Sequence, residues 1–213
     1  MQFSYTKEDE FKIIGVHSNK LYFRCSSNIK VAEVRNSELV NIVDLKVRLG
    51  SDFKGVFCML NSGNFLMYRI ENTSFYEIHE SGKSVRQFSI SESTKNAKIN
   101  PSSILLTDEN LLLLSSANEI FTFALSGDYK HSFFNEGANF CDMCKDGCGN
   151  VFLADNNNDR ICLLTPNGNY ARDVLTSSDG ISKPKSLTID GCGNLWILTE
   201  TNYQKRISVF SYL

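Results

Sequence analysis

Gly147-Cys148-Gly149-Asn150 and Gly191-Cys192-Gly193-Asn194 are identical stretches that lie 44 residues apart. An acidic residue precedes each copy, and an apolar run follows it, residues 151–154 or 195–198. Looser versions, in which an asparagine precedes an apolar run, occur at Asn19, Asn64 and Asn110. Self-similarity at a period of roughly 40 to 46 residues is typical of a repeat architecture.

Each repeat contains several short apolar runs separated by turn residues. Glycine and asparagine tolerate positive φ, so a Gly-Asn pair between two apolar runs predicts a hairpin. A second polar turn follows in each repeat, with an asparagine at 28, 72, 118, 158 or 202, and then a third run. The middle repeats continue through a glycine turn to a fourth run.

Four short strands per repeat predict an all-β protein, a β-propeller in which each repeat forms one blade. About five blades are expected, in one domain over 1–213, with repeats at 11–48, 53–90, 99–134, 138–175 and 181–213. The second run of each repeat is almost continuously apolar, which favours a strand covered on both faces by neighbouring blades. A buried helix at 111–114 is the alternative, and the shortness of the run disfavours it.

The fifth repeat ends after its third run. Residues 2–5 are the candidate for the strand that completes this blade and closes the ring. Without closure, the first and last blades would expose apolar sheet faces. We therefore expect the ring to be closed, completed by further sequence, or capped by a partner.

The composition is typical of a folded protein whose positive and negative charges nearly balance. The formal net charge is −2, from 24 acidic and 22 basic side chains, so the whole chain has no general attraction to phosphate backbones or anionic membranes. No segment reaches the roughly 18 apolar residues of a membrane span, and the polar N-terminus does not resemble a secretory signal. The sequence therefore predicts a cytoplasmic protein that does not contact membranes.

Seven cysteines are present, and three of them, Cys141, Cys144 and Cys148, form a metal-like cluster. No histidine lies near this cluster, and two further ligands at matching spacing are missing. We therefore expect reduced free thiols, with no metal and no cofactor.

Residues 149–161 combine a Gly-Asn turn, an apolar strand that ends at Asp155, then Asn158 and Arg160-Ile161. This pattern resembles the NHL repeat. The fifth repeat is similar at Asn194 and Arg206, but Glu200 takes the place of the aspartate after one extra residue. The resemblance implies a structural role for an Asp-Arg pair that ties strands together, and a structural set of Asn150, Asp155, Arg160, Asn194 and Arg206.

The chain as a whole resembles the C-terminal propellers of TRIM-NHL (tripartite motif) proteins, particularly the divergent invertebrate type. Those propellers usually have six blades, so the resemblance implies that the first blade is missing here, together with the RING, B-box and coiled-coil regions. Ubiquitin ligation in that family resides in the RING. The resemblance therefore implies the substrate-recognition part of a ligase, with no enzymatic activity of its own.

The sequence contains no recognisable arrangement of catalytic residues. His17, His79 and His131 occupy non-equivalent positions in different repeats, and the first strands supply mainly apolar residues. No Gly-x-Ser-x-Gly elbow is present. We therefore expect no catalytic residues and no small-molecule substrate, and a propeller hydrolase or lyase is the less favoured alternative.

Binding is the favoured function. The turns between second and third strands share one face of a propeller with the connections between blades. The candidate binding residues on that face are Asn158, Asp159, Lys183, Lys185, Tyr203 and Lys205. Residues 138–213 contain seven basic and eight acidic side chains, which favours a protein partner over single-stranded RNA. An ordinary solvated surface is the remaining interpretation.

Overall fold

The computed structural model describes residues 11–17, 20–25, 28–35, 38–48, 55–60, 62–79, 81–90, 99–200 and 205–211. Within these ranges the chain forms β-strands and one short 3₁₀ turn, Ser177–Asp179. The chain divides into two compact units, Met1–Ser89 and Ile90–Leu213. A single domain over 1–213 stays a prediction.

The first unit contains two four-stranded antiparallel sheets, in the strand orders β1-β2-β3-β4 and β5-β6-β7-β8. Its strands are β1 (Phe11–His17), β2 (Lys20–Cys25), β3 (Asn28–Arg35), β4 (Glu38–Arg48), β5 (Gly55–Met59), β6 (Phe65–Arg69), β7 (Ser74–Ile78) and β8 (Ser84–Ser89). Buried Tyr22 and Ile29 of the first sheet pack with Phe65 and Met67 of the second.

The second unit contains two four-stranded sheets, β9 to β12 and β13 to β16, and a sheet of three described strands, β17 to β19. Its strands are β9 (Ser103–Leu106), β10 (Leu111–Ser116), β11 (Glu119–Ala124), β12 (Tyr129–Phe134), β13 (Phe140–Lys145), β14 (Val151–Asp155), β15 (Arg160–Leu164), β16 (Tyr170–Leu175), β17 (Pro184–Ile189), β18 (Asn194–Glu200) and β19 (Lys205–Ser211). The predicted repeat of short antiparallel strands is confirmed. Leu111–Leu114 lies in a strand, as predicted, and not in a helix.

The turn between first and second strands has the same geometry in four sheets. Glycine at the third turn position has positive φ and donates its N–H to the carbonyl three residues earlier, as seen at Gly63, Gly149 and Gly193. Asn110 occupies this same position, with φ of 58° and its N–H on Thr107 O. The sequence alignment of Asn110 with Asn150 is therefore wrong by one residue, because asparagine substitutes here for the left-handed glycine.

The identical Gly-Cys-Gly-Asn stretches are held by the aspartate that precedes each of them. Asp146 Oδ1 accepts the N–H groups of Cys148 and Asn150 at 2.8 and 2.9 Å, and its Oδ2 accepts Asn150 Nδ2 at 2.8 Å. Asp190 accepts the equivalent three bonds from Cys192 and Asn194. In both copies the short aspartate side chain accepts hydrogen bonds from the turn that follows it, which explains why the Asp-Gly-Cys-Gly-Asn sequence is repeated.

The core of the second unit lies between successive sheets. Every residue of Val151–Asp155 is buried, as the prediction of strands covered on both faces requires. Leu113 and Ile120 pack against Phe140, Val151 and other residues of the next sheet. In the same way, Phe152, Ala154 and Ile161 pack against Leu187, Leu195 and Ile197.

One face of the fifth sheet remains open to solvent. Trp196, Ile207 and Val209 are 40%, 64% and 49% exposed, and partly buried Leu198 shares their face through the pairs Leu198–Ile207 and Trp196–Val209. Residues 2–5, the candidate closing strand, lie outside the described residues. Ring closure through that segment stays a prediction.

Candidate functional site

Asp155, the last residue of β14, is completely buried and fully hydrogen-bonded. Its Oδ1 accepts the N–H of Asn139 at 3.0 Å. Its Oδ2 accepts Asn158 Nδ2 at 2.7 Å and Arg160 Nε at 3.0 Å. One carboxylate therefore ties the connection before β13 to the turn between β14 and β15.

Arg160 extends this network to the outer strand of the same sheet. Its Nη1 donates to both oxygens of Asp173, at 3.2 and 3.1 Å, and Asp173 also accepts the Tyr170 hydroxyl at 3.1 Å. Burial disfavours the charged guanidinium, but the hydrogen bonds to Asp155 and Asp173 and the charge of Asp173 favour it, and the pKa of Arg160 is raised above its ordinary value. The guanidinium is thus permanently charged and engaged within the sheet.

Among its described residues, the fifth sheet has no equivalent of this Asp-Arg pair. Strand pairing places Thr199 opposite Arg206, as Asp155 lies opposite Arg160, whereas Glu200 pairs with Lys205. The sequence prediction that Glu200 replaces the aspartate is therefore wrong, because β18 continues for one residue beyond the corresponding position. Thr199 Oγ1 donates to Arg206 O at 3.3 Å, and the Arg206 side chain is exposed.

Asp159 and Lys183 join the β14–β15 turn to the connection before β17. The Lys183 N–H donates to Asp159 Oδ1 at 2.7 Å, and Lys183 Nζ donates to Asn156 O at 3.3 Å. Asn156 Nδ2 also donates to Pro184 O at 3.1 Å. Asp159 and Lys183 have positive φ, 51° and 47°, a conformation that costs non-glycine residues free energy. Thr73, which directly precedes β7 as Asp159 precedes β15, also has a φ of 51°.

Cys141 and Lys185 lie beside this junction at the start of β13 and β17. Each is skipped in the pairing register of its strand, so each forms a bulge. Burial raises the pKa of the Cys141 thiol above its ordinary value, and the Lys185 cation opposes that rise. The thiol is therefore kept protonated, while the Lys185 side chain is exposed to solvent.

The structure describes five of the six predicted binding residues. The structure brings Asn158, Asp159 and Lys183 together around the β14–β15 turn, and Lys185 follows two residues later. Lys205 Nζ lies 3.2 Å from Glu200 Oε1 at the β18–β19 hairpin. Tyr203 lies outside the described residues.

The carboxylate of Asp142, on β13, accepts four hydrogen bonds. The sequence analysis expected mainly apolar first strands and did not identify this residue. Its Oδ1 accepts Ser103 Oγ at 2.9 Å and the N–H of Met143 at 3.0 Å. Its Oδ2 accepts Ser186 Oγ at 2.6 Å and the N–H of Leu187 at 3.1 Å. One carboxylate thus links the first strands of three sheets, and the only sequence signal is an aspartate within an apolar run.

The protonation of Asp190 can be followed through the fluorescence of Trp196. Hydrogen bonds from Asn194 and from Trp196 Nε1 (2.9 Å), with further backbone bonds, lower the pKa of Asp190 below its ordinary value. A lowered folded-state pKa means that these bonds persist as the pH falls through the ordinary aspartate range, about 3.9, and are lost only below it. Trp196 is the single tryptophan. We expect its fluorescence to change only below that range, and Asp190→Asn to abolish the transition.

Circular dichroism at each pH is the control for this titration, since acid unfolding would also change the emission. A transition centred at the ordinary aspartate pKa while the strands remain folded would contradict the assignment.

Within the described part of the chain, no group of three or more His, Cys, Asp or Glu side chains is arranged to hold a metal ion. None of the helical segments in that part is long and apolar enough to cross a membrane.

No family model matches the chain, and no curated protein matches it. Solved structures do. Virginiamycin B lyase from Staphylococcus aureus has a TM-score of 0.65 at 15% identity, with 95% of this chain and 71% of the lyase covered. A streptogramin B lyase has a TM-score of 0.65 at 15% identity, with 94% and 68% covered. The β-propeller domain of Cps50 (Swd1) from Myceliophteria thermophila has a TM-score of 0.61 at 12% identity, with 92% and 68% covered.

These likenesses and the repeated antiparallel sheets define the class: the chain is an all-β protein with the β-propeller fold. They support a propeller without supporting the tripartite-motif type in particular. The prediction that the chain is not an enzyme is corrected by the same finding, because two of these structures are lyases and the fold gives no ground for excluding catalysis. At such identities the likeness shows the fold alone.

Proposed function

We propose that the second unit is a recognition platform that binds a protein partner through its connection face, the surface formed by Asn158, Asp159, Lys183 and Lys185. The observation that carries this proposal is the Asp159–Lys183 contact. Two residues with positive φ meet there, where a turn and a connection from adjacent sheets are joined by a hydrogen bond. Backbone conformations of this kind persist where the surroundings impose them, and they cluster at binding and active sites.

The charges on and near this face favour a protein partner over RNA. Lys183 Nζ lies 3.8 Å from Asp159, and Lys205 is paired with Glu200, so two of the three candidate lysines have a carboxylate neighbour. A phosphate backbone requires a continuous positive surface, which these carboxylates interrupt. Groups of both signs instead match a polypeptide that presents both acceptors and donors.

The finer proposal is that this platform is the substrate-recognition part of a TRIM-like ubiquitin ligase. Its support is the NHL-like pattern of residues 149–161. The structures that share the fold give it no additional support. Single-stranded RNA remains the alternative ligand, with the exposed Lys185 as its anchor.

Selection of a displayed random-peptide library on the whole chain tests the platform. We expect enriched peptides to bind the unmodified chain and to bind Lys185→Glu at least about tenfold more weakly, the effect of roughly 1.4 kcal/mol. Lys130→Glu is the matched control, because Lys130 is an exposed lysine on β12, in a different sheet. It should leave binding unchanged.

Equal losses of peptide affinity in both lysine variants would contradict the proposal, and so would a selection that enriches no peptide. A fluorescent oligouridylate is the second probe. Tight binding of this RNA that falls steeply with salt and depends on Lys185 would put RNA in place of the protein partner.

A further inference from the structure

The third sheet (β9 to β12) and the fourth sheet (β13 to β16) have second strands that are covered on both faces. Residues 112–114 of β10 are fully buried, and so is every residue of Val151–Asp155. The fifth sheet (β17 to β19) differs. On β18, Leu195 and Ile197 are buried against the fourth sheet, whereas Trp196 between them is 40% exposed. One face of the fifth sheet is therefore covered and the other is open.

The open face uses the positions that pack against a following sheet elsewhere. Strand pairing makes Ile207 the equivalent of Ile161, and in the same way it makes Trp196 the equivalent of Phe152. Ile161 and Phe152 are fully buried because they pack against the fifth sheet, and Ile120 of the third sheet is fully buried against the fourth. Ile207, by contrast, is 64% exposed. The open face is thus equivalent to the surface through which each of the two preceding sheets contacts the next one.

The composition of the open face does not suit the end of an array of repeats. In repeat proteins each unit contacts its neighbours, and a terminal unit carries a polar outer face that keeps the protein soluble. The open face is instead apolar, with Trp196, Leu198, Ile207 and Val209. A solved β-propeller domain with this fold also extends beyond the part that the chain matches, which is 68% of that domain. Both observations indicate that the stacking of sheets continues after the fifth.

We propose that the open face is the docking surface for a sixth sheet of the same polypeptide. This sheet presents aliphatic side chains to Trp196 and Ile207, as Leu187, Leu195 and Ile197 do to the fourth sheet. A facing sheet is the occupant because both interfaces between consecutive sheets of the second unit are built from these positions. It belongs to the same polypeptide because each covered sheet is covered by the sheet that follows it along the chain. The proposal does not depend on the connection face.

Acrylamide quenching of the single tryptophan measures whether the face is open in the whole chain. We expect Trp196 to be quenched readily at every protein concentration. Protection of Trp196 in a monomer would mean that a segment already present in the chain covers the face. Protection that rises with protein concentration would mean that a second copy covers it. Either result would overturn the proposal.

A lengthened chain supplies the proposed occupant. A copy of residues 166–213 is joined after Ser211, since Phe210 pairs with Leu195 as Leu164 pairs with Val151 and the next positions therefore correspond. The copy gives the fifth sheet a fourth strand and adds a sheet with the sequence of the fifth. It carries Trp196→Phe, so that the original Trp196 is the only reporter. We expect quenching of Trp196 to be largely lost and its emission to shift to shorter wavelength.

Ile207→Lys in the original repeat is the matched variant. The position is exposed in the unextended chain, so the urea midpoint of that chain should not change. In the lengthened chain the substitution buries a charge between two sheets, so it should restore quenching of Trp196 and lower the urea midpoint. Val85→Lys, at a position 53% exposed on β8, is the control and should alter neither chain.

Two results with the lengthened chain would count against the sixth sheet. One is a Trp196 that remains as accessible to acrylamide as in the unextended chain. The other is an equal effect of Ile207→Lys and Val85→Lys on the lengthened chain, because the open face would then contribute nothing to docking.

Discussion

Replacing Asp155 with alanine is expected to lower the free energy of unfolding by about 3–4 kcal/mol. The substitution removes the acceptor for the Asn139 N–H, the Asn158 amide and the Arg160 guanidinium. It leaves Arg160, whose side chain is only 18% exposed, with Asp173 as its remaining carboxylate partner. A buried cation that loses a partner costs more than the pair contributes, because the charge stays desolvated.

Urea denaturation measures this loss, and Asp173→Ala is the matched control. Asp173 binds the same guanidinium, but its side chain is 31% exposed. Water can therefore replace part of the hydrogen bonding that the guanidinium loses when Asp173 is removed. We expect a cost of about 1 kcal/mol there. Equal effects of the two substitutions would show that burial of Asp155 does not decide the stability of the network.

Gly168→Ala is expected to cost about 2–4 kcal/mol, the combined effect of overpacking and of an unfavourable φ. Gly168 turns the chain between β15 and β16 with φ of +85°. A Cβ at this position would lie 2.7 Å from Thr122 Oγ1 and 2.9 Å from Leu113 Cδ2, side chains of fully buried residues in the neighbouring sheet. The glycine is therefore required both by its turn and by the packing of two sheets.

Gly180→Ala separates these two contributions. Gly180 has nearly the same φ, +82°, but no atom lies within 4 Å of the position that a Cβ would take there. Its substitution should cost only the conformational part, about 1 kcal/mol. Thermal or urea unfolding of both variants measures the two decreases in the free energy of unfolding. Similar decreases would mean that the neighbouring sheet accommodates a Cβ at position 168 without an energetic penalty.

Sequence periodicity predicts the strands well because the pattern of each repeat is local. The apolar run of β14 and the turn at Asp146 are specified by neighbours within a few residues. Asn110 shows the limit of this reasoning. The sequence pattern makes asparagine the residue that precedes the second strand, but its tolerance of positive φ places Asn110 where the other turns have glycine.

The predicted binding face is only partly recognisable from sequence. Asp159 and Lys183 are among the sequence candidates, but their hydrogen bond joins residues 24 positions apart in the chain. Asp142 was missed because its partners, Ser103 and Ser186, lie on two other sheets. No pattern within one repeat carries information about such partners.

The sequence by itself determined the repeat, the strand order within each blade and the turns, because each depends on hydrogen bonds and φ preferences between residues close in the chain. The tertiary structure alone decided which polar side chains meet and which apolar face stays open. Asp142 acquires its partners, and the open face at Ile207 is left uncovered, through the stacking of whole sheets. That stacking is set by the summed burial of many side chains and not by any local motif.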